Sequence, residues 1–328
     1  MALQNKTISI DQLVLNKDEL AFYQKQTGIQ DEIKLKEHII EIAQKALEVY
    51  PYHCIRTFGF LRFRILRAQS GYKHLLTLGS TRPRAFFLDL GCCFGNDLRK
   101  AIEDGFPPQN IIASDLRAGV CISLSPRSYD HSNHSIEQRF LDFWNFGHEL
   151  FNSDPSTFLV TFVQGNVLDD SFITIQSPLN PVHDLSNAST DSDLSSLSLQ
   201  SLLSLTPNSY PEPQSLNPLR GYLSAIHTSA FFHLFDQAEQ ILIAKKLASL
   251  LSPLPGSIIF GSQIGADVPM EGVRNGSGTL FYRHSPDSWK EMWEKEVFGG
   301  KANMIRVEAG ISRDSERRET IWWTVTRL

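Results

Sequence analysis

Residues 87–95, with the sequence FLDLGCCFG, decide the fold class of this 328-residue chain. An apolar run ends in Asp89, and a turn through Gly91 and Gly95 leads into a helical pattern over Asn96 to Glu103. Glycines in a strand-to-helix turn let a ligand approach the backbone closely, and the start of the helix adds amide donors. The stretch therefore predicts the first strand and helix of a Rossmann-like α/β sheet, with a ligand at the turn.

The residues of this turn also indicate which ligand it holds. A dinucleotide fingerprint needs three glycines in the spacing GxGxxG, whereas Cys93 stands where the middle glycine would be. The carboxylate of Asp89 would face a pyrophosphate unfavourably, but it suits the cationic amino-acid end of S-adenosylmethionine. We therefore favour S-adenosylmethionine over a dinucleotide as the cofactor, and a tight turn without a ligand is the remaining alternative.

Strands and helices continue to alternate after this turn. Further short apolar runs predict strands at 110–115, 158–164, 221–227 and 256–262, with a long helix at 232–251. Repeated β-α units of this kind imply a mainly parallel sheet with helices on both faces.

Three of the later strand ends carry side chains that can complete a cofactor cleft. Asp115 can accept hydrogen bonds from both ribose hydroxyls, and Asn166 can bond to an adenine. His227 is placed near the reacting methyl group, where it can act as a base or a hydrogen-bonding group. A helix cap, an ordinary turn and a structural histidine are the alternatives for each alone. Their order along the chain favours one shared cleft beyond the strand ends.

The segments outside the alternating pattern define the predicted domains. An amphipathic helix at 31–49 and an arginine-rich segment at 56–67, which could form a second helix, predict an N-terminal helical extension over 1–80. We expect this extension to act as a lid on the substrate, and we assign 81–328 to the cofactor-binding core. Residues 171–217 are rich in Ser, Leu, Asn and Pro, which predicts a flexible low-complexity insertion.

Composition narrows the class of protein further. The formal net charge is −5, which argues against a dedicated nucleic-acid binder. We expect no membrane span and no secretory signal, because no apolar run has the required length or position. The cysteines, two of them adjacent, are expected to be reduced thiols in a cytoplasmic protein, and no metal site is predicted.

The chain resembles class I methyltransferases of fungal secondary-metabolite clusters, among them carboxyl O-methyltransferases of meroterpenoid and polyketide pathways. The resemblance is carried by 88–100, 50–56, 229–235 and 284–293. In the sheet of such enzymes an antiparallel strand is inserted, which suits the two strand-like runs at 303–307 and 319–326. The resemblance implies S-adenosylmethionine contacts at four positions, namely Asp115, Leu116, Asn166 and Val167.

The resemblance also implies the acceptor, a carboxyl group on a small-molecule acid. A carboxylate is already ionised at neutral pH and needs no general base, whereas a phenol usually does. The sequence shows no Lys–His or His–Asp pair at a spacing that identifies a base. We therefore expect His227, with His53, Arg56 or His284 from the shared blocks, to orient the carboxylate. A phenol or enol acceptor, a protein substrate, a non-catalytic regulator that binds the cofactor, and a homodimer stay open.

Overall fold

The computed structural model of the chain describes residues 8–116, 136–179, 198–203, 215–273, 278, 280–301, 303–313 and 319–328. The strands are β1 Phe86–Leu90, β2 Ile111–Asp115, β3 Thr161–Gln164, β4 Leu223–His227, β5 Ile258–Ile264, β6 Met270–Val273, β7 Leu280–Arg283, β8 Ile305–Arg313 and β9 Glu319–Arg327. The helices are α1 Lys17–Thr27, α2 Glu32–Val49, α3 His53–Arg56, α4 Gln69–Thr81, α5 Asn96–Glu103, α6 Ile136–Leu150, α7 Leu199–Leu202, α8 Gln237–Leu250 and α9 Pro286–Glu291.

Strands β1 to β5, β8 and β9 form one seven-stranded sheet in the order β3-β2-β1-β4-β5-β9-β8. Neighbours among β1 to β5 run parallel, and β9 is inserted antiparallel between β5 and β8. The predicted Rossmann-like sheet with an inserted antiparallel strand is confirmed. The switch point of the sheet lies between β1 and β4: β2 and β3 are added on one side of β1, and β4 and β5 on its other side.

The alternation of side chains along each strand explains why helices cover both faces of the sheet. Leu88 and Ile226 point to the face covered by α8 and α9, where Trp289 is fully buried. Phe87 and Phe260 point to the opposite face, which is covered by α4 and α5. Burial of each such side chain contributes about 1.5–3 kcal/mol, so both faces hold the sheet rigidly.

The N-terminal helices form a separate hydrophobic cluster. Apolar side chains of α1, α2 and α3 pack with α6 and with Phe94 of the glycine turn. The Phe94 ring lies 4.9 Å from that of Phe60 and 5.9 Å from that of Phe143. The region from 56 to 67 contains only short helical turns, because Phe58 adopts a left-handed conformation with φ of 54°. Helix α4 packs on the sheet, so the last part of the predicted extension lies in the helical layer of the core.

The predicted insertion contains core residues near its ends. Phe172, Ile173 and Leu216 are buried in the main hydrophobic cluster, as are Leu199 and Leu203. These apolar residues anchor the described parts of the segment to the core, and the flexible insertion at 171–217 stays a prediction. Positions 180–197 and 204–214 lie outside the described residues. Within the described part of the chain, no helix is both long and apolar enough to cross a membrane.

Candidate functional site

The turn between β1 and α5 has the close-approach geometry expected from its glycines. Gly91 has a φ of 80° and donates its N–H to the carbonyl oxygen of Ser114 on β2, at 2.8 Å. A Cβ atom at Gly91 would lie 2.8 Å from the Phe231 ring, so a side chain there would collide. Gly95 also has a positive φ and is the N-cap of α5. Both positions therefore require glycine, because of their positive φ and the side chains packed against them.

Asp115, at the end of β2, holds this turn from the neighbouring strand. One carboxylate oxygen accepts the Cys93 N–H at 2.7 Å, and the other accepts the Leu116 N–H at 2.7 Å. The first bond stabilises Cys93 in a left-handed conformation with φ of 52°. Burial raises the pKa of Asp115, although the two backbone N–H groups oppose the rise. Each oxygen keeps a second lone pair, so the half-buried carboxylate can still accept hydrogen bonds from a ligand.

Asp89 and His227 lie opposite each other where β1 and β4 end. The two residues are paired in register across the switch point, and Asp89 Oδ1 is 2.7 Å from His227 Nδ1. Both side chains are buried, at 3% and 1% exposure. His227 Nε2 is 2.8 Å from Ser229 Oγ, so both ring nitrogens have partners within the protein. Asp89 therefore contacts a histidine where the sequence predicted a cofactor contact, and His227 bonds onward to the half-buried Ser229.

Charge around His227 favours the protonated imidazole. Burial alone would lower the pKa of His227, but the Asp89 charge and hydrogen bond, with a contribution from Asp97, raise it above its ordinary value. Asp97 lies in the first turn of α5, and burial raises the pKa of its carboxyl group to about 6. The Ile65 N–H donates to this carboxyl group at 3.2 Å.

The third strand end contributes a turn and a buried apolar residue. Asn166 Oδ1 accepts the Leu168 N–H at 3.0 Å, which leaves the amide nitrogen oriented away from its own turn. Val167 is 2% exposed and belongs to the main hydrophobic cluster, while Leu116 is half-buried. These three residues follow β2 and β3 at the same edge of the sheet. Their predicted cofactor contacts stay predictions.

The segment from Tyr52 to Arg64 lies over the glycine turn. Burial raises the pKa of the Tyr52 hydroxyl, and the nearby Asp115 carboxylate raises it further. Burial also raises the pKa of the Cys93 thiol, which Cys54 and Asp115 raise further and Arg64 lowers. Side chains of the N-terminal extension are therefore electrostatically coupled to the turn, and Arg64 brings a positive charge close to it.

The predicted substrate residues do not meet at one place. His53 and Arg56 lie on α3 with exposed side chains. His284 is 1% exposed, bonds through Nδ1 to Ser288 Oγ at 2.9 Å, and packs against Trp289. Burial lowers its pKa to about 4, so it is neutral at physiological pH. This environment is that of a structural histidine, although its predicted substrate role is untested.

The chain has relatives among known proteins. Residues 8–61 match the family described as meroterpenoid methyltransferase N-terminal domain. The chain is 29% identical to the O-methyltransferase phiE of a fungal species over 259 residues, which is 79% of this chain and 64% of that protein. It is 28% identical to the Asnovolin E/Chermesin D methyltransferase nvfJ of Aspergillus novofumigatus, over 84% of this chain and 74% of that protein. The chain is therefore related to fungal methyltransferases.

These fungal relatives confirm the resemblance seen in the sequence, but they do not specify a carboxyl acceptor. The chain spans less than two thirds of the length of phiE. A solved bacterial structure, the 1,6-didemethyltoxoflavin-N1-methyltransferase of Burkholderia thailandensis, has a TM-score of 0.46 and 12% identity over 87% of each chain.

Several residues of the site were not singled out from the sequence. Ser229 completes the hydrogen-bonded chain from Asp89, Arg64 supplies a positive charge, and Phe231 closes the space beside Gly91. Ser229 is only two residues from His227, so a strand-end rule extended by two positions would have found it. Arg64 comes from a segment distant in sequence from the turn, and no local spacing identifies it.

Proposed function

We propose that this protein is an S-adenosylmethionine-dependent O-methyltransferase of fungal secondary metabolism that methylates a carboxyl group of a small meroterpenoid or polyketide acid. The observation that carries the proposal is the glycine turn held by Asp115 at the carboxyl ends of adjacent parallel strands. This is where open α/β sheets bind nucleotide-like ligands. The names of the fungal relatives support methyl transfer to oxygen and a small-molecule substrate.

The residues present fit the chemical groups of this cofactor. Asp115 offers acceptors to the two ribose hydroxyls, and Asn166 offers an amide to the adenine. The methionine end carries both a cationic amine and a carboxylate. Asp97 supplies a nearby acidic group, and the guanidinium of Arg64 suits the carboxylate. Gly91 is required by the close approach of the Phe231 ring, which a Cβ at this position would meet at 2.8 Å.

The bound cofactor supplies an electrophilic methyl group with its own leaving group. The protein then has to align the acceptor oxygen with that methyl group and exclude water. The N-terminal cluster around Phe94 covers the turn and can provide this exclusion. A carboxylate acceptor requires no proton removal, whereas a phenol requires a base such as a neutral His227.

The test uses one acceptor that carries both kinds of oxygen and one that carries only a carboxyl group. The purified chain is incubated with S-adenosylmethionine and 2,4-dihydroxybenzoic acid, or with abietic acid as a terpenoid carboxylic acid, and products are analysed by mass spectrometry. An ester that mild base returns to the acid supports the proposal. A hydrolysis-resistant ether would replace the carboxyl acceptor by a hydroxyl. Failure to bind S-adenosylmethionine in calorimetry would overturn the proposed function as a whole.

A further inference from the structure

A continuous hydrogen-bonded chain joins the ends of three adjacent strands at the switch point of the sheet. It runs from Asp89 on β1 to His227 on β4, at 2.7 Å, and from His227 to Ser229, at 2.8 Å. The backbone N–H of Ser262 on β5 also donates to Ser229 Oγ, at 3.1 Å. Asp89 and His227 are buried, whereas Ser229 is half-buried. Ser229 is thus the end of the chain that reaches the cleft.

The donors in this chain fix the direction of the Ser229 hydroxyl. When the imidazole is protonated, both ring N–H groups donate, one to Asp89 and the other to Ser229. Ser229 Oγ then accepts two hydrogen bonds, from His227 and from the Ser262 backbone. Its own proton has to be donated elsewhere. The hydroxyl of Ser262 is 3.4 Å away, beyond the roughly 2.5–3.0 Å usual for O–H···O bonds, so it is a weak acceptor for that proton. The remaining direction is the cleft beyond the strand ends.

We propose that Ser229 binds the methyl acceptor by donating its hydroxyl proton to a carboxylate oxygen, and that Asp89 and His227 are positioning residues that act through it. This inference rests on the proposed function, because it concerns the acceptor of the same reaction. It assigns to Ser229 the role of orienting the carboxylate that the sequence analysis gave to His227.

The groups that face His227 support the donor direction. Asp89 approaches from β1, Asp97 from α5, and the Phe260 ring from β5 at 5.1 Å between ring centroids. Burial beside this apolar ring disfavours the charged imidazole, but the two acidic groups outweigh it, in agreement with the raised pKa of His227.

The arrangement matches the electron balance of carboxyl methylation. One carboxylate oxygen forms the bond to the methyl carbon, and the electron pair of the carbon–sulfur bond stays on sulfur. No proton is transferred, so Ser229 keeps its proton and its hydrogen bond to the second carboxylate oxygen throughout. Hydroxyl methylation would need the reverse arrangement, in which neutral His227 accepts the Ser229 proton and Ser229 accepts one from the substrate.

The two arrangements predict opposite pH dependences. With a carboxylate acceptor, kcat/KM should fall as the pH rises through the pKa of His227, because loss of the imidazolium proton turns the Ser229 hydroxyl away from the cleft. With a hydroxyl acceptor, kcat/KM should rise over the same range. Asp89→Asn should shift the decrease in kcat/KM to lower pH, because it removes the charge that holds the proton on His227.

The experiment compares wild-type protein with Ser229→Ala, Ser229→Thr and Asp89→Asn, each checked for folding by thermal unfolding. Calorimetry with S-adenosylmethionine should give Kd values for the two Ser229 variants within about twofold of wild type, since Ser229 contacts the acceptor. Ser229→Ala should lower kcat/KM for 2,4-dihydroxybenzoic acid at least about tenfold, the loss expected for one hydrogen bond to a charged group. Ser229→Thr, which keeps the hydroxyl, should recover part of it.

A second measurement needs no turnover. In protein labelled with [13C]histidine, the His227 signal is identified by its loss in His227→Gln and titrated by NMR. A pKa above the ordinary value, lowered in Asp89→Asn, is expected. The inference is overturned if the pKa of His227 is below its ordinary value of about 6.5, or if Ser229→Ala keeps kcat/KM within twofold of wild type. It is also overturned if kcat/KM rises with pH. Normal cofactor binding with either of the first two results would leave the proposed function standing, whereas a kcat/KM that rises with pH would also replace its carboxyl acceptor by a hydroxyl.

Discussion

Removal of the Asp115 carboxylate should weaken both S-adenosylmethionine binding and the fold. In Asp115→Ala, the ligand loses its acceptor for the ribose hydroxyls, a loss of about 1.5–3 kcal/mol for bonds to a charged group. That loss corresponds to a Kd about 10- to 150-fold higher. The variant also loses the bond from Cys93 N–H at 2.7 Å, which holds a left-handed residue. The free energy of unfolding without ligand should therefore fall by about 1–3 kcal/mol.

Calorimetry measures the cofactor affinity, and urea unfolding without ligand measures the loss of unfolding free energy. Asp115→Asn serves as the matched control, because it keeps the size of the side chain and one acceptor oxygen but removes the charge. Its Kd should lie between those of wild type and Asp115→Ala. An unchanged Kd in a folded Asp115→Ala protein would refute the assignment of Asp115 to the ribose. If the Kd rises no more than the loss of unfolding free energy accounts for, Asp115 stabilises the turn and does not contact the ribose.

Further predictions concern the charge, the turn and a buried histidine. If the Arg64 guanidinium pairs with the methionine carboxylate, Arg64→Met should raise the Kd for S-adenosylmethionine about tenfold or more, and Arg64→Lys should raise it less. A Kd for Arg64→Met equal to that of wild type would contradict this pairing. Gly28→Ala should lower the free energy of unfolding by roughly 1–2 kcal/mol, and Gly91→Ala should lower it by more. Both glycines have φ near 75–80°, but only Gly91 faces Phe231. Equal losses in urea unfolding would show that the Phe231 contact does not constrain Gly91. The pKa of His284, lowered to about 4, means that the unfolded state binds a proton first as the pH falls. Stability should therefore decline from about pH 6.5 to pH 4, by at most about 3 kcal/mol, and His284→Gln should lack this component in unfolding measured across that range.

The same interactions show how far sequence reasoning reaches. Asp115 could be located because a short apolar run followed by a carboxylate is a local pattern, and parallel strands end at a common edge. The amphipathic helix at 31–49 followed equally from its periodicity, and the structure has α2 at Glu32–Val49. The packing of that helix was not predictable, because its partners in α6 and Phe94 lie far along the chain.

This packing determines which variants can test the predicted lid. A truncation of the first 70 residues would expose the apolar side chains of α6 and the ring of Phe94, which the N-terminal helices bury. Loss of turnover in such a truncation would not distinguish a lid from a required part of the fold. A single substitution such as Tyr52→Phe leaves the cluster packed and removes one hydroxyl near Asp115, so its effect on turnover can be attributed to the cleft.

The Asp89–His227 contact shows most clearly why the site could be predicted only in part. The two residues are 138 positions apart, so no spacing rule joins them, and the sequence analysis found no histidine–carboxylate pair. Strand order supplies the missing information. Because the switch point makes β1 and β4 neighbours in register, Asp89, next to the last residue of β1, has to meet His227, the last residue of β4. An acidic residue and a histidine at these positions will then pair, since neither can be buried alone without a large desolvation cost. The polar group that we propose to face the ligand is Ser229, two residues beyond the end of β4, because Thr228 between them is fully buried. The reacting end of the cleft is therefore determined by topology, and its cofactor end by local sequence.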